Sequence, residues 1–148
     1  ESYFEKLMPV IRRLQDRGCW EFLGILEPSE MASFFQNIDV LAFPSLNSTE
    51  SFGLVQIEAM VNGTPVVASD LPGVRQPVAI TGMGEVVPPG DARLLGDCIL
   101  RILDEPDTYR GDPTAVKSLF RPDMAAAAYE ELFLRLVEGR KIGNTLAL

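Results

Sequence analysis

The stretch TESFGLVQIEAMVNGTPVVASD, residues 49–70, contains the elements that decide the fold. It opens with a turn that includes Gly53, and this turn leads directly into a helical segment that ends at Gly63. PVVAS, residues 65–69, follows as an uninterrupted apolar run of strand length, which is typical of a strand buried on both faces. The order turn, helix, strand predicts one unit of a parallel α/β sheet.

Three further runs outside this stretch have the composition of strands. They are CWEFLG at 19–24, DVLAFPS at 39–45 and GEVVPPGD at 84–91. The second run is bounded by Asp39 and Pro44, and its continuous apolar character again predicts burial on both faces. The third run predicts a short edge strand closed by a turn.

Apolar residues between these runs recur at helical spacing. The predicted helices cover residues 3–17 with a break or kink at Pro9, a segment beginning at Pro28, and residues 91–104, 106–118 and 122–138. Asp91 is the predicted N-cap of the third of these helices. The alternation predicts an α/β fold, a Rossmann-like parallel sheet with helices on both faces, in which ligands bind beyond the carboxyl ends of the strands.

Composition and charge limit the classes of partner. The 148 residues, of which 47% are hydrophobic, fit one globular domain with its own core. The net charge of −8 argues against nucleic acid and against anionic membrane surfaces, because both attract a basic face. The chain contains no histidine, which removes the commonest general base and the commonest metal ligand.

Cysteine content and hydropathy indicate the cellular compartment of the protein. Cys19 and Cys98 show no metal-ligand or redox spacing and lie in apolar surroundings, which favours buried, reduced thiols. No apolar run approaches the roughly 18 residues of a membrane span, and the N-terminal residues lack a signal-peptide pattern. We therefore expect a cytoplasmic protein with no transmembrane segment in this chain.

The start of the helix in residues 49–70 is the candidate ligand site. The first N–H groups of a helix have no intrahelical acceptor and, together with the helix dipole, favour a phosphate group. Gly53 would let a ligand approach the backbone closely. The helical spacing predicts a buried face made of Leu54, Ile57, Met60 and Val61.

Two glutamates flank this helix start. Glu58 falls about 40° from Leu54 at about 100° per residue, on the edge of the predicted buried face, where a carboxylate needs a hydrogen-bond partner. Glu50 lies on the other side, in the loop. Carboxylates suit the hydroxyls of sugars, so a diphosphate on the amides between two glutamates predicts a nucleotide sugar. Alternatively, Glu50 only caps the helix and Glu58 pairs with a Lys or Arg elsewhere.

The sequence also resembles a known family in the order and spacing of four segments. These are FLG at 22–24, NIDVLAFPS at 37–45, ESFGLVQIEAMVNGTPVVASD at 50–70 and GEVVPPGD at 84–91. The interval from Glu50 to Glu58 is the E-x7-E spacing of retaining GT-B-type glycosyltransferases, and the whole set is similar to the C-terminal domain of the family-four group. The resemblance implies the C-terminal half of a GT-B architecture, lacking its first strands.

The resemblance assigns roles to particular residues. Glu50 matches the first glutamate, which contacts hydroxyls of the donor sugar, and it is the candidate catalytic residue. Glu58 matches the second glutamate, which binds the ribose diol. The loop near the sugar and the phosphates corresponds to Ser51, Phe52, Gly53, Leu54 and Val55. Ile25 and Leu26 match a segment near the nucleotide base, and the alternative that they are core or rim residues stays open.

The resemblance further implies an enzyme that transfers a sugar from a nucleotide donor to an acceptor hydroxyl with retention of configuration. Such enzymes need no metal and no cofactor besides the donor. Residues 1–148 then form a single, partial nucleotide-sugar-binding domain, and the N-terminal acceptor domain is absent from this chain. Two alternatives remain: a sugar-nucleotide epimerase or phosphorylase on the same fold, and a non-catalytic nucleotide-sugar-binding module. Nucleotide, sugar and acceptor are not identified.

Two departures from the family pattern follow the PVVAS run. The family usually has two glycines and then a glutamate here, whereas this chain has Pro72 at the first glycine position and Gln76 at the acid's position. Arg75 is the only cation between Arg17 and Arg93, and we expect it to lie at the surface. The basic pair that neutralises the diphosphate in the family is not in this chain, so we expect the isolated chain to bind donor weakly and to be inactive.

Overall fold

The computed structural model describes residues 3–47 and 49–139. The chain divides into two compact units, Glu1–Met31 and Ala32–Leu148. No helix in these described ranges is both long enough and apolar enough to cross a lipid bilayer. The tail after residue 139, which the sequence predicts to lack a regular period, lies outside the described residues.

The first unit contains helix α1 (Tyr3–Asp16), which continues through Pro9 without the predicted break. Gly18, at φ +65°, follows the helix end. The strand predicted over 19–24 is wrong, because these residues form no strand. Their apolar side chains are exposed, Phe22 by 79% and Leu23 by 49%. An apolar run becomes a strand only where a neighbouring strand accepts its backbone hydrogen bonds, and composition alone does not supply that neighbour.

The second unit is built on a parallel sheet in the order β1 (Leu41–Phe43), β2 (Val66–Ser69), β3 (Gly84–Val87). The central strand β2 is buried along its whole length, as predicted. The same prediction is wrong for β1, where Ala42 is exposed and its two neighbours are half-buried. The difference follows from position, because β1 and β3 are the edges of the sheet formed by the described residues.

Helices cover both faces of the sheet, as predicted. On one face, Val67 and Val87 pack with Cys98 and Ile102 of helix α5 (Ala92–Asp104). Side chains alternate along a strand, so Val66 points to the opposite face, and it is 0% exposed. Helices α3 (Leu54–Met60) and α4 (Gln76–Thr81) connect the three strands and both contact β2. Helix α2 (Pro28–Asn37) begins at the predicted proline and buries Phe35.

The C-terminal helices follow the predicted order with one division. Asp91 caps α5 as predicted, its Oδ1 accepting the Leu94 amide at 2.9 Å. The helix predicted over 106–118 is split into α6 (Pro106–Tyr109) and α7 (Pro113–Leu119). The split occurs because Pro113 has no N–H to continue a helix, whereas Asp112 caps a new one. Helix α8 (Pro122–Val137) matches its prediction.

An ion pair ties β3 to the helices that follow it. The guanidinium of Arg101 donates to both carboxylate oxygens of Glu85, and the Tyr109 hydroxyl donates to Oε1 at 2.6 Å. The hydrogen bonds from Arg101 lower the pKa of Glu85 to about 2. Burial, together with Glu85, raises the pKa of Cys98 to about 11. Cys98 is a buried free cysteine, as predicted. Cys19 is exposed, so the prediction of burial is wrong for that residue.

Candidate functional site

The candidate site lies where two neighbouring parallel strands end. One loop leaves β1 after Phe43 and runs to the start of α3, and a second loop leaves β2 after Ser69 and runs to the start of α4. Because the carboxyl ends of parallel strands lie at the same end of the sheet, both loops emerge on the side where open α/β sheets bind ligands.

Glu50 is bonded to the turn that begins α3. Its Oε1 accepts the Phe52 amide at 3.3 Å and the Gly53 amide at 2.9 Å. These amides belong to the turn before α3, and no described side chain caps the first turn of the helix itself, so the alternative in which Glu50 caps the helix is wrong. The hydrogen bonds of the described residues use Oε1 alone, so the contact with the turn orients the carboxylate and leaves Oε2 available. Contact between Glu50 and a sugar stays a prediction.

Gly53 is explained by internal packing. It has φ +79°, and a Cβ at this position would lie 2.5 Å from Cε1 of Phe43 and 2.8 Å from Nε2 of Gln56. Any other residue would therefore clash with the interior and would also be strained. The structure therefore gives a conformational and a packing reason for this glycine, whereas the close approach of a ligand stays a prediction.

The predicted buried face of α3 is only partly correct. Met60 is buried as predicted, but the other buried residues are Gln56 and Ala59. Ile57 and Val61 are half-buried, and Leu54 is 70% exposed. The helix is turned by about one residue position, roughly 100°, from the prediction. Apolar residues occur on several sides of this short helix, so their spacing does not fix its orientation, and a buried glutamine was not anticipated.

The change in phase alters the position of Glu58. Its side chain is exposed, on the same side of α3 as Leu54, one turn away. The predicted position of Glu58 at the edge of the buried face is therefore wrong, and an exposed carboxylate needs no protein partner. An exposed carboxylate remains accessible to a ligand, so contact between Glu58 and a ribose stays a prediction.

The remaining predicted site residues differ in their surroundings. Ser51 is exposed and Val55 is half-buried. Phe52 is half-buried, with its ring centroid 6.1 Å from that of Phe120. Ile25 is 97% exposed and Leu26 is half-buried, and both belong to the first unit. Their position near the nucleotide base stays a prediction.

The loop after β2 contacts the loop after β1 directly. A Cβ on Gly73 would lie 1.7 Å from the carbonyl oxygen of Ser51, so only glycine fits there. Gln76, at the family's acidic position, donates to the Pro72 carbonyl at 3.0 Å and so closes a local turn. Arg75 pairs with Asp70 at 2.7 Å with both side chains about half exposed, which confirms its surface position.

Gln56 is the residue of this region that the sequence analysis missed. It is 0% exposed, and its Nε2 donates to the carbonyls of Phe52 and Val74 at 2.9 Å each. A polar residue three positions after the turn glycine, on the same helix face as Ala59, is the signal that could have identified it.

A cavity of about 570 Å³ lies elsewhere, at the end of the sheet where the strands begin. Its lining includes residues 36–39, which precede β1, and residues 62–65, which precede β2. These segments meet at the amino ends of the strands, so the cavity is separate from the loop that holds Glu50 and from the start of α3.

Comparison with known proteins identifies the family. Residues 6–112 match the sequence model of the family described as glycosyl transferases group 1. The chain belongs to this family. The match contains the whole segment from Glu50 to Glu58 as well as all three strands.

Individual relatives agree with this assignment. A phosphatidyl-myo-inositol mannosyltransferase of Mycobacterium leprae is 40% identical over 82 residues, which is 55% of this chain and 22% of the relative. The solved sucrose-phosphate synthase of Thermosynechococcus elongatus has a TM-score of 0.70 at 30% identity, over 91% of this chain and 35% of that one. Anabaena HepE, solved in complex with UDP-glucose, has a TM-score of 0.63 at 23% identity, over 84% and 37%. The chain thus spans about a fifth of the curated relative's length.

Proposed function

We propose that this chain is the donor-binding part of a longer retaining glycosyltransferase that moves a sugar from a nucleotide sugar to an acceptor hydroxyl. The observation that carries the proposal is the family match over residues 6–112. The similar fold of HepE, solved with UDP-glucose, supports a nucleotide-sugar donor. The comparisons give no support to an epimerase, a phosphorylase or a non-catalytic module.

In this proposal Glu50 serves the donor sugar. The amides of Phe52 and Gly53 fix its Oε1, so that Oε2 can accept sugar hydroxyls without first being ordered. A preordered acceptor loses less entropy when the ligand binds, and it holds the reacting sugar in one orientation. We assign Glu50 as the catalytic candidate for this reason.

The diphosphate would lie at the start of α3. The amides of Leu54 and Val55 belong to the first helical turn and have no intrahelical acceptor. Glu58, exposed one turn further on, would accept the ribose hydroxyls. Arg75 is already paired with Asp70, so the positive charge that neutralises the diphosphate comes from residues outside this chain.

Other aspects of the whole protein follow from the same proposal. Transfer requires neither a metal nor a cofactor besides the donor. An N-terminal domain of the same protein supplies the acceptor site, and the reaction takes place in the cytoplasm. Residues 1–148 alone bind donor weakly and do not catalyse transfer.

The test is a donor screen on the full-length protein. UDP-, GDP- and ADP-sugars are supplied with candidate acceptors, and release of the nucleoside diphosphate is measured together with the anomeric configuration of the product. We expect one donor class to be consumed with retention. The proposal is wrong if no nucleotide sugar is bound or consumed, or if the product is inverted.

A further inference from the structure

Gln56 joins the two loops of the candidate site. It is fully buried, and its side-chain amide donates one hydrogen bond to the Phe52 carbonyl and one to the Val74 carbonyl. The two acceptors belong to different loops, since Phe52 follows β1 and Val74 follows β2. Both are carbonyl oxygens, so the nitrogen of the side-chain amide must face them, and this fixes the orientation of the amide.

Two close contacts surround this junction. Gly73 lies against the carbonyl of Ser51, and Gly53 lies against Nε2 of Gln56, with no room for a Cβ at either position. The turn from Ser51 to Gly53 is therefore held by α3 on one side and by the loop after β2 on the other. This turn provides the two amides that orient Glu50.

Gln56 has both a favourable and an unfavourable effect at this junction. Its Oε1 is buried and has no hydrogen-bond partner among the described residues, which is unfavourable. Its Nε2 satisfies the carbonyls of Phe52 and Val74, and an apolar side chain of the same length would leave both without this donor. What the glutamine adds is a pair of directed bonds that connect one loop to the other.

We propose that Gln56 is a positioning residue for donor binding, which holds the Glu50 turn against the loop after β2 in the conformation that receives the donor. The identity of the ligand rests on the function proposed above, whereas the connection between the loops is a property of the free protein. Gln56 acts through the turn, because it is buried beneath it.

The first test measures loop order without a ligand. In the full-length protein, Gln56→Met keeps the side-chain length and removes both hydrogen bonds. We expect hydrogen exchange of the Gly53 and Arg75 amides to rise about tenfold, because both amides lie beside the broken junction. Thr64→Val is the matched control, since Thr64 is 2% exposed and donates one buried hydrogen bond, to Phe35, at the opposite edge of the sheet. It should leave exchange at both amides unchanged.

The second test measures the donor. With the nucleotide sugar that the wild type consumes in the screen, Gln56→Met should raise KM for the donor about tenfold at similar kcat, whereas Thr64→Val should not. Gln56→Glu gives a pH signature. At high pH its carboxylate would face two carbonyls, which is unfavourable. After protonation it could donate one hydrogen bond, so affinity for the nucleotide sugar should recover as the pH falls. Gln56→Met should show no such recovery.

Each outcome decides a separate point. Exchange within twofold of wild type in Gln56→Met would overturn the connection between the loops. Faster exchange with an unchanged KM would overturn its role in donor binding. A wild type that uses no nucleotide sugar would overturn the proposed function, while the exchange result would still decide the role of Gln56. If Gln56→Met does not fold, the exchange of Gln56→Glu at low and high pH makes the same decision.

Discussion

Gly73 lies so close to the carbonyl group of Ser51 that no side chain would fit between them. This contact joins the loops that leave two neighbouring strands, and Gln56 joins them a second time. The region around Glu50 is therefore supported by Gly73 and Val74, which are remote from it in sequence.

Gly73→Ala should displace the turn that carries Glu50. Its Cβ would lie 1.7 Å from the Ser51 oxygen, so the backbone must shift, and we expect a loss of roughly 1–3 kcal/mol in the free energy of unfolding together with weaker donor binding. Urea denaturation and donor titration measure the two effects. Gly96→Ala is the control, because a Cβ there meets nothing within 4 Å inside α5 and should stabilise by about 0.5–1 kcal/mol. Equal stability of the two variants would contradict the close contact.

Glu50→Ala should affect folding and donor binding separately. Loss of the bonds to the Phe52 and Gly53 amides should cost about 0.5–1.5 kcal/mol of stability. Loss of the acceptor for the sugar should cost a further 1.5–3 kcal/mol, but only in the binding of the intact nucleotide sugar. Calorimetry with the nucleotide sugar and with the matching nucleoside diphosphate distinguishes the two. Identical losses for both ligands would rule out a contact between Glu50 and the sugar.

Glu58→Gln should leave stability within about 0.5 kcal/mol, because the side chain is exposed. If Glu58 accepts the ribose hydroxyls, affinity should fall for the nucleotide sugar and for the nucleoside diphosphate alike. Glu105→Gln, another exposed glutamate far along the chain, is the control and should change neither affinity. Wild-type affinity in Glu58→Gln would remove this residue from the site.

The Glu85–Arg101 pair should make stability depend on acid pH. The pKa of Glu85 is about 2 in the folded chain against an ordinary value of 4.5, so the folded state favours the charged form. The stability that this adds is complete above pH 4.5 and is lost as the pH falls from there toward 2. Urea denaturation should show that Glu85→Gln is less stable than the wild type above pH 4.5. The difference in the free energy of unfolding should shrink as the pH falls toward 2. A constant difference between the two proteins would contradict the shift.

Transfer by the full-length protein should continue in the presence of EDTA, because the proposed site stabilises the diphosphate with amides and cations of the protein. Initial rates are compared with and without the chelator, and then after Mg²⁺ or Mn²⁺ is restored. A rate that falls with EDTA and returns with the metal would show that the site requires a cation.

The sequence predicts helices and strands well where the local residues are enough to determine them. Asp91 as an N-cap and the buried strand β2 are both read from local chemistry. The predictions fail where the decision depends on what lies next to the residue. Residues 19–24 have a strand composition but no strand to pair with, and Ala42 is exposed because β1 is at an edge.

The candidate site shows the same division. The E-x7-E spacing and Gly53 locate the turn correctly from sequence. The orientation of α3, which exposes Glu58 and buries Gln56, depends on the glycine packing against Phe43 and on the Val74 carbonyl. These contacts join positions far apart in the chain, so local periodicity could not predict them.

The position of β1 has a consequence for the behaviour of residues 1–148 in solution. Among the described residues this strand is hydrogen-bonded to β2 on one side and pairs with no strand on the other, where Ala42 is exposed. A sheet edge without a pairing strand can accept a strand from another molecule. The isolated chain should therefore self-associate as its concentration rises, and light scattering would detect this as growing particle mass.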